Sequence, residues 1–149
     1  MILFCDTSAL VKLYVQEAFS AEVFAVAAEA RAIAVSRIAW VETMATLARR
    51  VRESPADAEV IDAVRARFRA DWSSFAVVEV TQSLVELAGD YADTFALRAY
   101  DSVQLAAARL LQEASDDFCF ACFDGHYPEP VPYDAASRKF ILEEPVAAK

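Results

Sequence analysis

Ile2-Leu3-Phe4-Cys5-Asp6-Thr7-Ser8-Ala9-Leu10 runs from four apolar residues through an aspartate into a helix-compatible segment. The apolar tetrad has the length and side-chain type of a short buried strand. Asp6 carries an oxygen suited to capping a helix that begins at Thr7. In an open parallel sheet such a junction lies beyond the carboxyl end of a strand, where ligands bind. Similar apolar runs recur at Ala32 to Val35, Phe75 to Val80 and Phe118 to Phe123. Continuous apolar strands are those buried on both faces. Between them, Ile38, Val41, Ala45, Ala48 and Val51, and then Val60, Ile61, Val64, Phe68 and Trp72, recur at helical spacing. Strands alternating with helices predict an α/β fold with a parallel sheet covered on both sides.

Length and punctuation predict one domain over residues 1–149. Ser54-Pro55 joins two helices, because serine suits a cap and proline the first helical turn. Thr81 caps a further helix through Leu84, Leu87, Ala88 and Tyr91, with Gly89 inside it. After Asp124, Gly125, Pro128, Pro130 and Pro132 predict a loop to about Ala135. Although 57% of the residues are hydrophobic, charges interrupt every apolar run before the roughly 20 residues a membrane helix needs. Met1 leads into strand 1 without a basic leader, which predicts a cytoplasmic protein.

The three cysteines read as small buried hydrophobes. Cys119 and Cys122 lie three apart on a strand and so point to opposite faces, unlike a redox or zinc pair. The formal net charge of −9 is unfavourable for binding phosphate at long range. Against it stand clusters of arginine at Arg49, Arg50 and Arg52 and at Arg65, Arg67 and Arg69, which also fit a solvated helix surface with ion pairs.

Four carboxylates are candidates for one site. Asp6 follows the first strand, where helix capping alone would also explain it. Glu42 lies early in the helix after the second strand, on a face shared with Arg49, with which it could pair. Asp101 begins the strongly helical Tyr100-Asp101-Ser102-Val103-Gln104-Leu105-Ala106, where the helix dipole favours an acid. Asp124 ends the fourth strand, so parallel strands bring it to the edge that holds Asp6. Four acids delivered to one edge repel one another unless a cation compensates, and hard oxygen ligands suit Mg²⁺ or Mn²⁺.

These segments resemble the PIN-domain family, in particular its VapC-like toxin branch. Asp6 through Tyr14 is similar to the family's opening motif, Leu97 through Ala106 to its third, and Phe120 through Asp124 to its fourth, with Glu42 at a fitting distance. Departures are Gln104, where the family often has histidine, and Cys122, where it often has threonine or serine. Gly125-His126-Tyr127-Pro128 also stands where a helix commonly follows, so that helix is expected near Asp134 with Ile141-Leu142 as a last strand. The resemblance implies a three-layer α/β/α sandwich with a central, mostly parallel sheet of four to five strands. It further implies an endoribonuclease in which Asp6, Glu42, Asp101 and Asp124 hold Mg²⁺ or Mn²⁺, supported by Ser8 and by Arg98 on RNA phosphate or a site carboxylate. A cognate antitoxin and a homodimer are implied as partners beside RNA.

Other readings are weaker. A signalling receiver would place another acid beside Asp6 and a late lysine, whereas the chain has Thr7-Ser8 and only Lys12, Lys139 and Lys149. An Asp-x-Asp phosphatase would need an acid where Ser8 stands. A serine or cysteine hydrolase has only His126 to use, in a proline-rich loop. Gly89 and Gly125 are too few for a glycine-rich phosphate loop. The remaining alternative is a degenerate, inactive PIN domain serving as an interaction module.

Overall fold

The computed structural model describes residues 1–123 and the backbone of 140–141. In chain order these form β1 (Ile2–Cys5), α1 (Thr7–Lys12), α2 (Ser20–Glu29), β2 (Ala32–Ser36), α3 (Ala39–Glu53) and α4 (Ala58–Asp71). There follow β3 (Ala76–Val78), α5 (Gln82–Phe95), α6 (Ala99–Ala114), β4 (Phe118–Cys122) and β5 (Phe140–Ile141). The strands lie in the order β3-β2-β1-β4-β5, and every pairing is parallel.

Strand alternation divides the interior into two cores. Phe4, Ala34, Phe118, Phe120 and Cys122 face one side, where α5 and α6 add Leu84, Ala88, Leu105 and Ala106. Leu3, Cys5, Val35, Cys119 and Ala121 face the other, where helices α1 to α4 add Leu10, Val23, Ala39 and Phe68. The fold is thus a three-layer α/β/α sandwich, and the opposed cysteines follow from the two-residue period of a strand. Phe68, fully buried, packs its ring edge-on or tilted against Tyr14, Trp40 and Trp72 with centroids 5.4, 5.4 and 5.5 Å away. That aromatic group fastens α4 to α1 and α3.

The expected break at Ser54-Pro55 is a single 3-10 turn, Pro55–Asp57, between α3 and α4. Thr81 caps α5, its Oγ1 accepting the Leu84 amide at 3.3 Å, and Gly89 does not interrupt the helix. Strand 3 is shorter than its apolar run, since pairing covers only Ala76–Val78 while Val80 turns to pack against the α5–α6 core. The last described strand is Phe140–Ile141, and it includes Ile141 of the expected Ile141-Leu142; Leu142 lies outside the described residues. Asp124, the loop with His126 and the helix expected near Asp134 lie outside the described residues.

Chain order places the site. From β1 the chain steps to β2 and then β3, and it later returns to the other flank of β1 as β4. The strand order therefore reverses beside β1, and in such sheets the ligand crevice opens beyond the carboxyl ends of the strands. Helix α3 starts directly after β2, at that edge. Helix α6 runs back toward the start of β4, and its first turn, Ala99 to Asp101, lines one recess with Glu42 of α3, at the same edge.

Candidate active site

Asp6 is 4% exposed and stands at the head of α1. Its Oδ1 accepts the Ala9 amide at 3.0 Å and the Ser8 hydroxyl at 2.6 Å. Ser8 Oγ in turn accepts the Phe123 amide at 2.7 Å, tying the first motif to the end of β4. Capping, the bland explanation for Asp6, is therefore present, but it does not account for the burial. Burial pushes the Asp6 carboxyl up to about 6; hydrogen bonds from Cys122, Ser8 and Ala9 oppose that rise, and the charge of Glu42 adds to it. A carboxylate is kept here at a cost in desolvation.

Glu42 lies in the first turn of α3. It does not pair with Arg49, which pairs with Glu53 instead. Its Oε2 accepts the Thr7 hydroxyl at 2.7 Å and the Gln104 amide at 2.6 Å, and Gln104 Nε2 also lies 3.0 Å from Thr7 Oγ1. Burial raises the Glu42 pKa, these donors lower it, and Asp101 and Arg98 act on it with opposite signs. Gln104 is buried, and its Oε1 has no hydrogen-bond partner among the described residues. One amide thus serves as a fixed donor to the carboxylate.

Asp101 lies in the first turn of α6, with its side chain 13% exposed. Arg98 Nε donates to its Oδ2 at 2.6 Å. The carboxylate contact expected for Arg98 is thus formed. Thr7, next to Asp6, donates to Glu42, and Glu42 and Asp101 line one recess, so three of the four candidate acids lie at one edge. Among the described residues no three acid, histidine or cysteine side chains are gathered closely enough to grip one ion. Arg98 occupies one oxygen of Asp101, and Thr7 and Gln104 occupy one oxygen of Glu42. The donor set nevertheless suits a hard divalent cation: oxygen ligands only, with the pKa values of Asp6 and Glu42 both raised by burial, the charge of Glu42 adding to the first and that of Asp101 to the second.

Beside these acids opens a cleft of about 700 Å³, lined by Thr7, Ser8 and Glu42 and, further along, by Lys12, Arg49 and Arg50. Lys12 is 3% exposed, its ammonium 3.1 Å from Glu17 and 4.8 Å from the centre of the Phe123 ring. Arg50 pairs with the same Glu17. Sequence reasoning treated Gln104 only as a departure from histidine and assigned nothing to Thr7 or Glu17. The signal for Gln104 was available, since it lies three residues after Asp101 on one helix face.

A PIN domain profile matches residues 3–118. The chain belongs to the PIN domain family. No curated protein sequence matches it. Among solved structures, the PIN domain superposes on a toxin–antitoxin complex from Klebsiella pneumoniae with TM-score 0.65 and 20% identity, covering 93% of this chain and 96% of that one. VapC20 of Mycobacterium tuberculosis, a sarcin–ricin loop cleaving toxin, gives 0.61 and 23%, covering 83% and 90%. VapBC2 of Rickettsia felis, bound to a fragment of its promoter DNA, gives 0.55 and 13%, covering 83% and 88%. At these identities the likeness extends to the fold, which in this PIN domain brings Asp6, Glu42 and Asp101 to the carboxyl edge. Among the described residues no helix is long and apolar enough to cross a membrane.

Proposed function

We propose that this PIN domain is a metal-dependent endoribonuclease, the toxin of a toxin–antitoxin pair, which hydrolyses RNA phosphodiester bonds. The observation that carries the reading is the meeting of Asp6, Glu42 and Asp101 at the switch point of the sheet, with Asp6 buried and its pKa raised. Structural likeness to toxins, one of which cleaves the sarcin–ricin loop, supports the same reading. Asp6, Glu42, Asp101 and the following Asp124 would hold one or two Mg²⁺ or Mn²⁺ ions, which at such a site lower the pKa of an attacking water and take up charge on the leaving oxygen. The chain's own residues do the positioning. Ser8 and the Ala9 amide orient the Asp6 carboxylate, and Thr7 and Gln104 orient that of Glu42. Arg98 supplies Asp101 with positive charge and lines the cleft beside the acids, where it would contact a substrate phosphate. An antitoxin as partner, a homodimer and a cytoplasmic location belong to the same proposal.

A second reading, a degenerate PIN domain that binds without cutting, draws on the pairing of Arg98 with Asp101. One assay separates the two. Wild-type protein freed of any partner, incubated with RNA and Mn²⁺, cuts it, and both Asp6→Asn and Asp101→Asn lower the rate by at least about 100-fold, the scale on which removal of a charge-stabilising group acts. Equal rates for wild type and both variants would remove the nuclease assignment.

A further inference from the structure

Helices α1 and α3 each carry an acid of the site at their head, Asp6 as the cap of α1 and Glu42 in the first turn of α3, and they are joined at two points. Beside the acids, the Thr7 hydroxyl donates to Glu42. At the far ends, Lys12 in the last turn of α1 and Arg50 in the last turn of α3 both pair with Glu17. Arg50 lies just over two turns beyond Glu42, about 12 Å along the helix axis. A single contact leaves two helices free to pivot, whereas two contacts this far apart fix both separation and angle. The turn that presents Glu17 is itself tied down. Ser20, buried, donates its amide to the Glu17 carbonyl at 3.2 Å, while its Oγ accepts the Glu17 amide at 3.0 Å and donates to the Val15 carbonyl at 3.2 Å. Phe19, in the same turn, has φ 65° and ψ 7°, a conformation that favours glycine. Its ring stacks on that of Phe123 with centroids 5.7 Å apart, and the Lys12 ammonium lies over the same Phe123 ring. A strained residue persists where its surroundings over-determine it, and such positions gather at functional sites. An ion pair made by a buried lysine adds little net stability over apolar side chains of like volume, because both charges are desolvated. What it contributes is one fixed geometry.

We infer that Glu17 is a positioning residue: by holding Lys12 and Arg50 together it sets the spacing of Asp6 and Glu42, and so fits the site to a small divalent ion. The inference rests on the metal-dependent reading above, and it adds a residue that acts through the two helices. Mg²⁺ requires near-ideal octahedral distances of about 2.0–2.1 Å, whereas Ca²⁺ accepts longer and irregular ones. A site whose two acids drift apart therefore loses Mg²⁺ before it loses Ca²⁺.

Ion binding tests this without RNA. Mn²⁺ affinity is read from the electron paramagnetic resonance signal of the free ion, and Mg²⁺ and Ca²⁺ affinities from their competition with it, in protein that thermal melting shows to be folded. Glu17→Gln and Arg50→Gln each lower Mg²⁺ affinity about 10- to 100-fold, the range for partners that orient metal ligands. Each also lowers the ratio of Mg²⁺ to Ca²⁺ affinity at least about 5-fold, since the larger ion tolerates the looser site. Glu53→Gln, which breaks the Arg49 pair within α3 alone, changes neither quantity. A residue that merely stabilises the fold lowers the melting temperature and leaves both affinities where they were; one that acts only by its charge lowers both by the same factor. Either result for Glu17→Gln overturns the inference. If Glu17→Gln, which strands buried Lys12, does not fold, Arg50→Gln keeps the Lys12–Glu17 pair and decides alone. A wild type that binds none of the three ions also overturns the inference, and the cleavage assay then decides the nuclease by itself. If wild type cuts RNA while the variants bind ions as it does, the positioning role fails and the nuclease stands. If the ions bind with these dependences but RNA is never cut, the nuclease fails and the positioning role stands.

Discussion

Asp6 is a carboxylate withdrawn from water and satisfied only in part by Ser8, Ala9 and Cys122. Its folded pKa, about 6, lies above the ordinary 3.8, so between those values the folded state binds more protons than the unfolded one. Stability from this residue is therefore full below about pH 4 and declines as pH rises through 6. The loss amounts to at most about 3 kcal/mol at 1.36 per unit. In the absence of metal, wild type melts at lower temperature at pH 7.5 than at pH 5 on this account, and Asp6→Asn removes most of that difference. Mn²⁺ at pH 7.5 raises the melting temperature of wild type and not of Asp6→Asn, because a cation that binds only the folded form stabilises it. Scanning calorimetry with and without Mn²⁺ checks both statements.

Gln104 has the opposite character, a neutral residue whose value lies in its donors. Replacing it by leucine removes an unpartnered Oε1, so little stability is lost, but it also takes from Glu42 and Thr7 the amide that fixes them. Activity falls about 10- to 100-fold, as for the removal of groups that orient a ligand. Gln104→His, which keeps a ring N–H, retains more of it; equal rates for the two variants would show that the amide positions nothing.

Elements repeat the lesson that local chemistry and tertiary demand can part company. Helix α5 is capped by Ala96, in left-handed conformation with φ 53° and ψ 36°, a position that glycine fills without a Cβ penalty. Ala96→Gly stabilises the protein by about 0.5–1 kcal/mol, the relief of that conformation less the added freedom of the unfolded chain, and raises the melting temperature by about 1–3 °C. The strands and the starts of α1, α3 and α6 were legible because hydrophobic runs and acid-first helix turns are local signals. With them came Asp6, Glu42 and Asp101, since a parallel sheet has only one carboxyl edge. Helix α2 was not, because Ala21-Glu22-Val23-Phe24-Ala25-Val26-Ala27-Ala28 distributes small apolar residues around every face. Neither was the burial of Lys12 or its sharing of Glu17 with Arg50, which depends on α1 and α3 being brought together. Ion pairs such as Arg65 with Asp62 and Arg67 with Asp71 accord with the surface reading of the second arginine cluster. Arg49 and Arg50 differ in lining the cleft.

At the scale of the molecule, one sheet serves two interiors, and the residues of β1 and β4 alternate between them. Cys5 and Cys119 sit in the interior under α1 to α4, and Cys122 in that under α5 and α6. Burial raises the Cys5 thiol pKa far above its ordinary value, so the closed protein presents no reactive thiolate there. The molecule thus carries a chemical clock on each side of its sheet, each started only when the chain opens. Variants retaining Cys119 alone or Cys122 alone, labelled by an aromatic disulfide under native conditions, report the two openings independently. Because Leu3 and Phe4 are neighbours in one strand yet anchor opposite layers, neither layer lifts without loosening the other, and the two thiols label with the same opening free energy. A faster Cys122 would mean that α5 and α6 detach as a lid, leaving the acids supported from one side only.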